Sequence, residues 1–252
     1  MGNSNRNKIL KVVAPLAFWL GVWQLAALFV GKELLLPGPV AVGEQLLHMA
    51  GTSAFWQSAA LSLGRVLAGF LAGAGTGAVL AVLTAAFSWA DLLFSPAVRV
   101  VRAIPVVSFI LLIMLWLSTG MVPGVCAGLM VMPVVWGNVR KGIGETDPLL
   151  LESAKAYRFT PLKTARLVYL PSVLPYFASS CVTGLGLAWK AGVAAEVISQ
   201  PKRAIGLEMH NSKLYLETPS LFAWTVVVIA LSFVLENLLS AFFLRMERGR
   251  RG

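Results

Sequence analysis

Read for its apolar and polar positions, the chain is a series of long apolar runs separated by short polar breaks. Six runs stand out, at residues 9–30, 61–87, 98–118, 121–139, 170–190 and 219–244. Each comes close to or exceeds the roughly 20 apolar residues that a helix needs to cross the bilayer core. The pattern predicts an all-α membrane protein with six transmembrane helices. One stretch does not fit it. LLESAKAYRFTPLKTARLVYLPSVLP, residues 150–175, carries Glu152, Lys155, Arg158, Lys163, Arg166 and three prolines. It is too charged to sit in lipid and too patterned to be a slack linker. Asp147-Pro148 and Thr160-Pro161 both read as helix starts, because the first side chain can cap free N–H groups and Pro at the first helical position loses no hydrogen bond. The loop is therefore expected to form two short helices, 148–158 and 161–169, bent at 159–160, with Leu170-Pro171 opening the fifth span.

Composition agrees with a membrane protein: 58% of residues are hydrophobic and 13% charged, with mean hydropathy +0.78, where a soluble domain has roughly 25% charged residues. The whole of 1–252 is expected to be one membrane domain, divided into an N-terminal helix and outer segment (1–58), a five-helix core (59–244) and a basic cytoplasmic tail (245–252). The first run is longer than the 7–15 residue core of a signal peptide and lacks an A-x-A site, so it reads as an anchor. The start MGNSNR has Arg6 where N-myristoylation requires Ser or Thr. The net charge of +10 could suggest nucleic acid, but its placement argues against that partner. With the N-terminus inside, fifteen of the 21 Lys and Arg residues fall in inner segments. Lys32, Arg65, Lys202, Arg203 and Lys213 fall in outer ones, and Lys190 lies near a helix end. The positive-inside rule then puts both termini and the 140–169 loop in the cytoplasm of a multi-pass protein. Cys126 and Cys181 sit singly in apolar runs and read as small buried hydrophobes rather than disulfide partners or metal ligands.

On the first short helix of the loop, Leu150, Ala154 and Tyr157 share one face, with Leu149, Glu152 and Ala156 beside it. Ser153, Ala154 and Ala156 are small enough to let another surface approach the backbone. A helix this short is marginal alone in water. Two readings stand: it docks into a partner's groove, or it lies on lipid headgroups, held by Lys155, Arg158 and Lys163.

E-S-A-K-A-Y-R, with Y-L-P further on, resembles the "EAA" loop of binding-protein-dependent ABC importer permeases. That pattern is Glu-Ala-Ala, a Gly four residues after the last Ala, then Ile-Leu-Pro. By the resemblance Glu152, Ala154 and Pro171 match it, Ser153 stands for the first Ala, and Arg158 replaces the Gly. LLLPGPVAV, SLGRVLAGF, RAIPVVSFILLIMLWLSTG and LGLAWKAGVAAEVI with AIGLEM resemble, in order, the permeases for nitrate, aliphatic sulfonates, taurine and similar small solutes. Leu111, Ser118 and Ala204 depart from that pattern. The resemblance implies a type I importer fold in the bacterial inner membrane, with a second permease copy expected as a homodimer. It implies two ATPases, each gripping one loop through Leu150, Glu152, Ser153, Ala154, Ala156, Tyr157, Arg158 and Pro171, and an extracytoplasmic solute-binding protein. ATP binding closes the ATPases, the loop helices move with them, and the pathway turns from inward- to outward-facing. The chain itself has no GxxxxGK[ST] phosphate loop, so ATP hydrolysis is expected on the partner, with no cofactor or metal here. Arg102, Pro105, Trp116, Trp189, Glu196 and Glu236 are expected on the pathway or its gate.

Other residues carry narrower expectations. Gly69, Gly73 and Gly77 form two overlapping GxxxG units, which allow close helix packing within the subunit or a contact between subunits. Glu236 lies inside the sixth run, where an ionisable group costs about 2.5–3.5 kcal/mol and so finds a partner or cavity; Arg102 is the candidate, with snorkelling to the inner surface as the alternative. Lys190 and Glu196 either snorkel at the outer surface or line the outer mouth. His48 and His210 lack metal-ligand spacing, and Asp91 is expected to face water. A membrane-embedded enzyme would need HExxH, paired intramembrane Asp or a Ser/His constellation, none of which is present. An ion-coupled carrier or channel not driven by ATP is the alternative function; it would favour inverted repeats, and no repeat is visible.

Overall fold

The computed structural model describes the backbone of residues 2–251 and the side chains of residues 14–246. The charges expected on Arg6, Lys8, Lys11, Arg248, Arg250 and Arg251 lie outside the described side chains. α1 (Gly2–Val30) and α2 (Pro39–Ala50) lead into α3 (Ser53–Ala86). Thr52 starts α3 by accepting the Phe55 N–H on Oγ1 at 3.4 Å, which satisfies one of the donors a helix start leaves open. The division expected between residues 58 and 59 falls inside the continuous helix α3. α4 (Ser88–Ala103), α5 (Val106–Ile113) and α6 (Val122–Gly144) follow. The loop helices α7 (Pro148–Ala156) and α8 (Pro161–Thr164) and a π turn (Ala165–Tyr169) then run into α9 (Leu170–Ser199). α10 (Ile205–Leu214) and α11 (Thr218–Arg251) complete the chain, with no strand among the described residues.

The core is a three-helix layer of α3, α6 and α9. Val66, Val131, Val135, Leu185 and Trp189 fill it, and Phe55 stacks on Trp224 of α11 at 4.9 Å. α1 and α11 flank this layer with apolar faces left open, as helices in lipid can be, because their backbone groups are satisfied internally. Trp23 fixes α1 by donating Nε1–H to the Pro37 carbonyl at 3.0 Å and stacking on Phe222 at 6.0 Å.

Four single helices are long and apolar enough to cross a membrane: Ser53–Ala86, Val122–Gly144, Pro161–Ser199 and Thr218–Met246. The third span expected over 98–118 is not one continuous helix. α4 and α5 meet at an angle of 104° and count as one span only if the bent pair is taken together. Pro105 has no N–H to continue the helix, and it forces Ile104 into extended backbone at φ −74°, ψ 128°. Beyond the bend, Phe109, Ile110 and Ile113 of α5 form a second small core with Val122, Cys126 and Ala195. α1 contributes a shorter apolar helix, Ala14–Val30.

The second short loop helix also differs from expectation. α8 is not a free element but the first turn of a helical column that continues to Ser199. Pro171 cannot donate to a carbonyl one turn back, and its ring crowds that carbonyl. The column widens at the π turn, where the Leu170 N–H reaches the Ala165 carbonyl, so the proline is absorbed without a break.

Candidate functional site

α7 stands by itself at the end of the core where α6 finishes and α9 begins. Asp147 caps it, Oδ1 accepting the Leu149 N–H at 2.9 Å, and Pro148 takes the first helical position. Its other end closes in a Schellman pattern: the Phe159 N–H bonds the Ala154 carbonyl and the Arg158 N–H bonds the Lys155 carbonyl, both at 2.9 Å. Arg158 sits at the C′ position with φ +52°. The turn made by Gly in the related pattern is therefore retained here by an arginine in the left-handed conformation.

Leu150, Glu152, Ser153, Ala156, Tyr157 and Arg158 are all exposed, with Tyr157 at 78%. Leu149 and Leu162 add further exposed apolar surface, making a strip with one acidic group in it. Ala154, expected on this strip, is 3% exposed and turns into the protein's own body, where α7 packs against the π turn. Pro171 is exposed but belongs to α9 rather than to the strip. Lys163 lies over the Phe159 ring at 4.2 Å, stiffening the turn between α7 and α8.

The three glycines of α3 face α6 rather than solvent. An added Cβ would lie 1.9 Å from the Gly124 carbonyl oxygen at Gly69, 2.4 Å from that of Gly128 at Gly73, and 2.5 Å from that of Met132 at Gly77. Beside this contact a cleft of about 480 Å³ runs from Arg65 past Thr76 to Met132.

At the far end of the core, Glu196 corrects the surface expectation. It is fully buried, accepting from Ser62 Oγ at 2.7 Å and from the Gly206 N–H at 3.1 Å, and pairing with Arg65 at 3.3 Å. Arg65 Nη2 also reaches the Lys202 carbonyl at 2.9 Å, and Ser62 Oγ accepts the Ile205 N–H at 2.9 Å. These bonds strap the 200–204 turn and the start of α10 onto α3 and α9. Trp189, expected on the pathway, is 1% exposed and pins α9 to α11 through a 2.9 Å bond from Nε1 to the Val228 carbonyl.

The pairing of Glu236 with Arg102 is not formed. Among the described residues the ion pairs are Arg65–Glu196, Arg140–Asp91 and Lys141–Glu145. Arg102 is exposed at the end of α4, which turns away at the bend. Glu236 instead accepts from Ser232 at 3.2 Å and lies against Gly186, where an added Cβ would be 2.6 Å from its Oε1. Pro105 and Trp116 are exposed at and beyond the bend. Asp91 keeps its side chain partly open to solvent, as expected, and is also clasped by Arg140 and Ser95, with Arg140 Nη2 2.8 Å from Asp91 Oδ2. Glu145, just past α6, accepts from Tyr176, and that bond holds its carboxyl below the usual range.

A family model described as "Binding-protein-dependent transport system inner membrane component" matches residues 73–248. The taurine transport system permease protein TauC of Escherichia coli K12 is 26% identical over 231 residues, covering 89% of this chain and 84% of TauC. The "Putative aliphatic sulfonates transport permease protein SsuC" of the same organism is 29% identical over 230 residues, with 89% and 84% covered. Among solved structures, a bacterial ABC transporter for import of the acidic polysaccharide alginate superposes with TM-score 0.66 at 16% identity over 97% of this chain and 96% of that one. The MetNI methionine ABC transporter gives 0.59 at 17% identity, with 75% and 93% covered.

Proposed function

The chain belongs to the family of binding-protein-dependent transport system inner membrane components, and from that premise we propose how it couples, what it carries and how it is oriented. It is the permease subunit of an ABC importer, a multi-pass membrane protein whose family works with an ATPase and a solute-binding protein. In the proposed reading, the exposed strip Leu150, Glu152, Ser153, Ala156, Tyr157 and Arg158 is the surface the ATPase grips. The observation that carries this reading is a helix capped at both ends that presents an apolar strip to solvent while its one buried residue, Ala154, ties it to the body. An exposed apolar patch of this kind marks a protein contact. Packed against the π turn that opens α9, α7 is placed to pass movement to a core helix.

ATP is hydrolysed on the partner, and two permease copies enclose the route. Both termini and the 140–169 loop lie in the cytoplasm, as the distribution of Lys and Arg supports. The cargo is a small organic anion of the sulfonate or taurine type, which the similarity to TauC and SsuC supports. The test is uptake of radiolabelled taurine and short alkanesulfonates by proteoliposomes holding the permease, its ATPase and its binding protein. Uptake that requires ATP and binding protein and falls at least tenfold in Glu152→Lys upholds the reading. Uptake that proceeds without ATP overturns it.

A further inference from the structure

Three residues, Glu145 to Asp147, join α6 to α7, and each is fastened. Thr146 is buried, and its Oγ1 donates to the Gly142 carbonyl at 3.2 Å. Asp147 caps α7. Glu145 reaches two ways: Oε1 lies 3.6 Å from Lys141 Nζ on α6, and Oε2 accepts the hydroxyl of Tyr176 on α9. The Tyr176 ring rests on the backbone of α6 at Gly142, where an added Cβ would lie 2.8 Å from ring Cδ2. The glycine leaves room for the ring, and the ring carries the hydroxyl to the carboxylate.

The two contacts of Glu145 differ in what they can transmit. The Lys141 pair stays within one turn at the end of α6, and both side chains are more than half exposed, so water screens it. The Tyr176 bond joins residues 31 positions apart on different elements. A bond to an ionised acceptor is also about twice as strong as one between neutral groups. Tyr176 lies beyond the π turn, which ends at Tyr169, by about 10 Å along the helix axis. α7 packs against the π turn, and the segment ahead of α7 is held to α9 by Tyr176. A single attachment would let α7 pivot. Two attachments spaced along one helix column do not.

We propose that Tyr176 is a positioning residue for transport. Its hydroxyl, bound to the Glu145 carboxylate, makes the leading end of α7 and the first turns of α9 move as one body, so that a pull on α7 shifts α9 instead of swinging the loop. This inference rests on α7 being the surface that the ATPase grips.

Hydrogen exchange read by mass spectrometry tests it, on the full-length permease bound to its ATPase, without and with a non-hydrolysable ATP analogue. In the wild type the nucleotide changes exchange in peptides of α7 and also in peptides covering 170–179 of α9. In Tyr176→Phe the α7 response remains and the α9 response falls about fivefold, the shift that one hydrogen bond of ordinary net strength supports. Glu145→Ala does the same. Glu145→Gln, whose amide oxygen still accepts the hydroxyl, keeps the wild-type response, and so does Lys141→Gln. A merely structural bond would raise exchange at 170–179 equally with and without nucleotide, and that result overturns the proposal. So does an α9 response that survives Tyr176→Phe, or one that Lys141→Gln removes. If α7 itself ignores the nucleotide in the wild type, the coupling surface fails and this proposal with it. If α7 responds and α9 does not, this proposal fails alone. Tyr176→Phe removes a single oxygen from an exposed bond; where that variant fails to fold, Glu145→Ala decides.

Discussion

Gly69→Ala tests how the core is built, and Gly75 on the same helix is its control. At Gly69 the added methyl would fall 1.9 Å from the Gly124 carbonyl oxygen and 2.8 Å from its Cα. Ordinary contact begins near 3.4 Å, and the missing distance of about 1.5 Å has to come from separation of two backbones, since no flexible side chain stands between them. Overpacking of this kind costs about 1–3 kcal/mol. Ala returns up to about 1 kcal/mol of helix propensity over Gly, so Gly69→Ala is expected to destabilise by about 1–2 kcal/mol. Gly75 has nothing within 4 Å of its added Cβ, and Gly75→Ala is expected to stabilise by about 0.5–1 kcal/mol. For a chain of this size 1 kcal/mol moves Tm by about 2–4 °C. Thermal unfolding in detergent, followed by the fluorescence of the buried Trp189 and Trp224, reads both variants. A Gly69→Ala protein melting at or above the wild type, or a shift of the same sign in both variants, refutes the close approach of α3 and α6.

Three further outcomes follow from particular residues. Arg158→Gly relieves a left-handed arginine worth about 1–2 kcal/mol; hydrogen exchange at the Phe159 amide should slow, and faster exchange contradicts the Schellman turn. Arg65→Ala leaves the buried Glu196 carboxylate with only Ser62 and the Gly206 N–H, and is expected to cost about 3 kcal/mol, whereas Arg65→Met with Glu196→Met costs less than the single change; chemical unfolding of the three proteins tests the order. Burial raises the Glu208 carboxyl above its usual range, so its folded-state advantage is complete below the unfolded value of about 4.3 and is lost as pH rises through the raised value. Glu208→Gln should therefore melt higher than the wild type at pH 8 and equally at pH 3, and the reverse pattern contradicts burial as the cause.

The parts that were legible from sequence are those written in local chemistry. Asp147-Pro148 and Thr160-Pro161 announce helix starts because capping and a missing N–H act within one turn, and both helices begin there. The spacing of Gly69, Gly73 and Gly77 marks a small-residue face in the same way. Its counterpart, Gly124 and Gly128, has the same spacing on α6 and could have been found by the same rule. The bend at Pro105 was also signalled, since a proline in the middle of an apolar run forces the residue before it out of helical backbone; length and hydropathy masked it. The burial of Glu196 was not legible. Its partner Arg65 lies 131 positions away, and neither residue carries a local mark of the other. Asp91 and Arg140, 49 positions apart, were hidden for the same reason. The inward turn of Ala154 goes with the packing of α7 against the π turn, a contact that no local motif announces.

The most direct test of α7 as the coupling element is photocrosslinking from position 153 in cells that co-express the ATPase. A crosslinkable residue replacing Ser153, in the middle of the exposed strip, should give an adduct of permease plus ATPase. The same residue replacing Lys213, on α10 at the opposite end of the core, should give none. An adduct absent from position 153, or formed as well from position 213, contradicts the account.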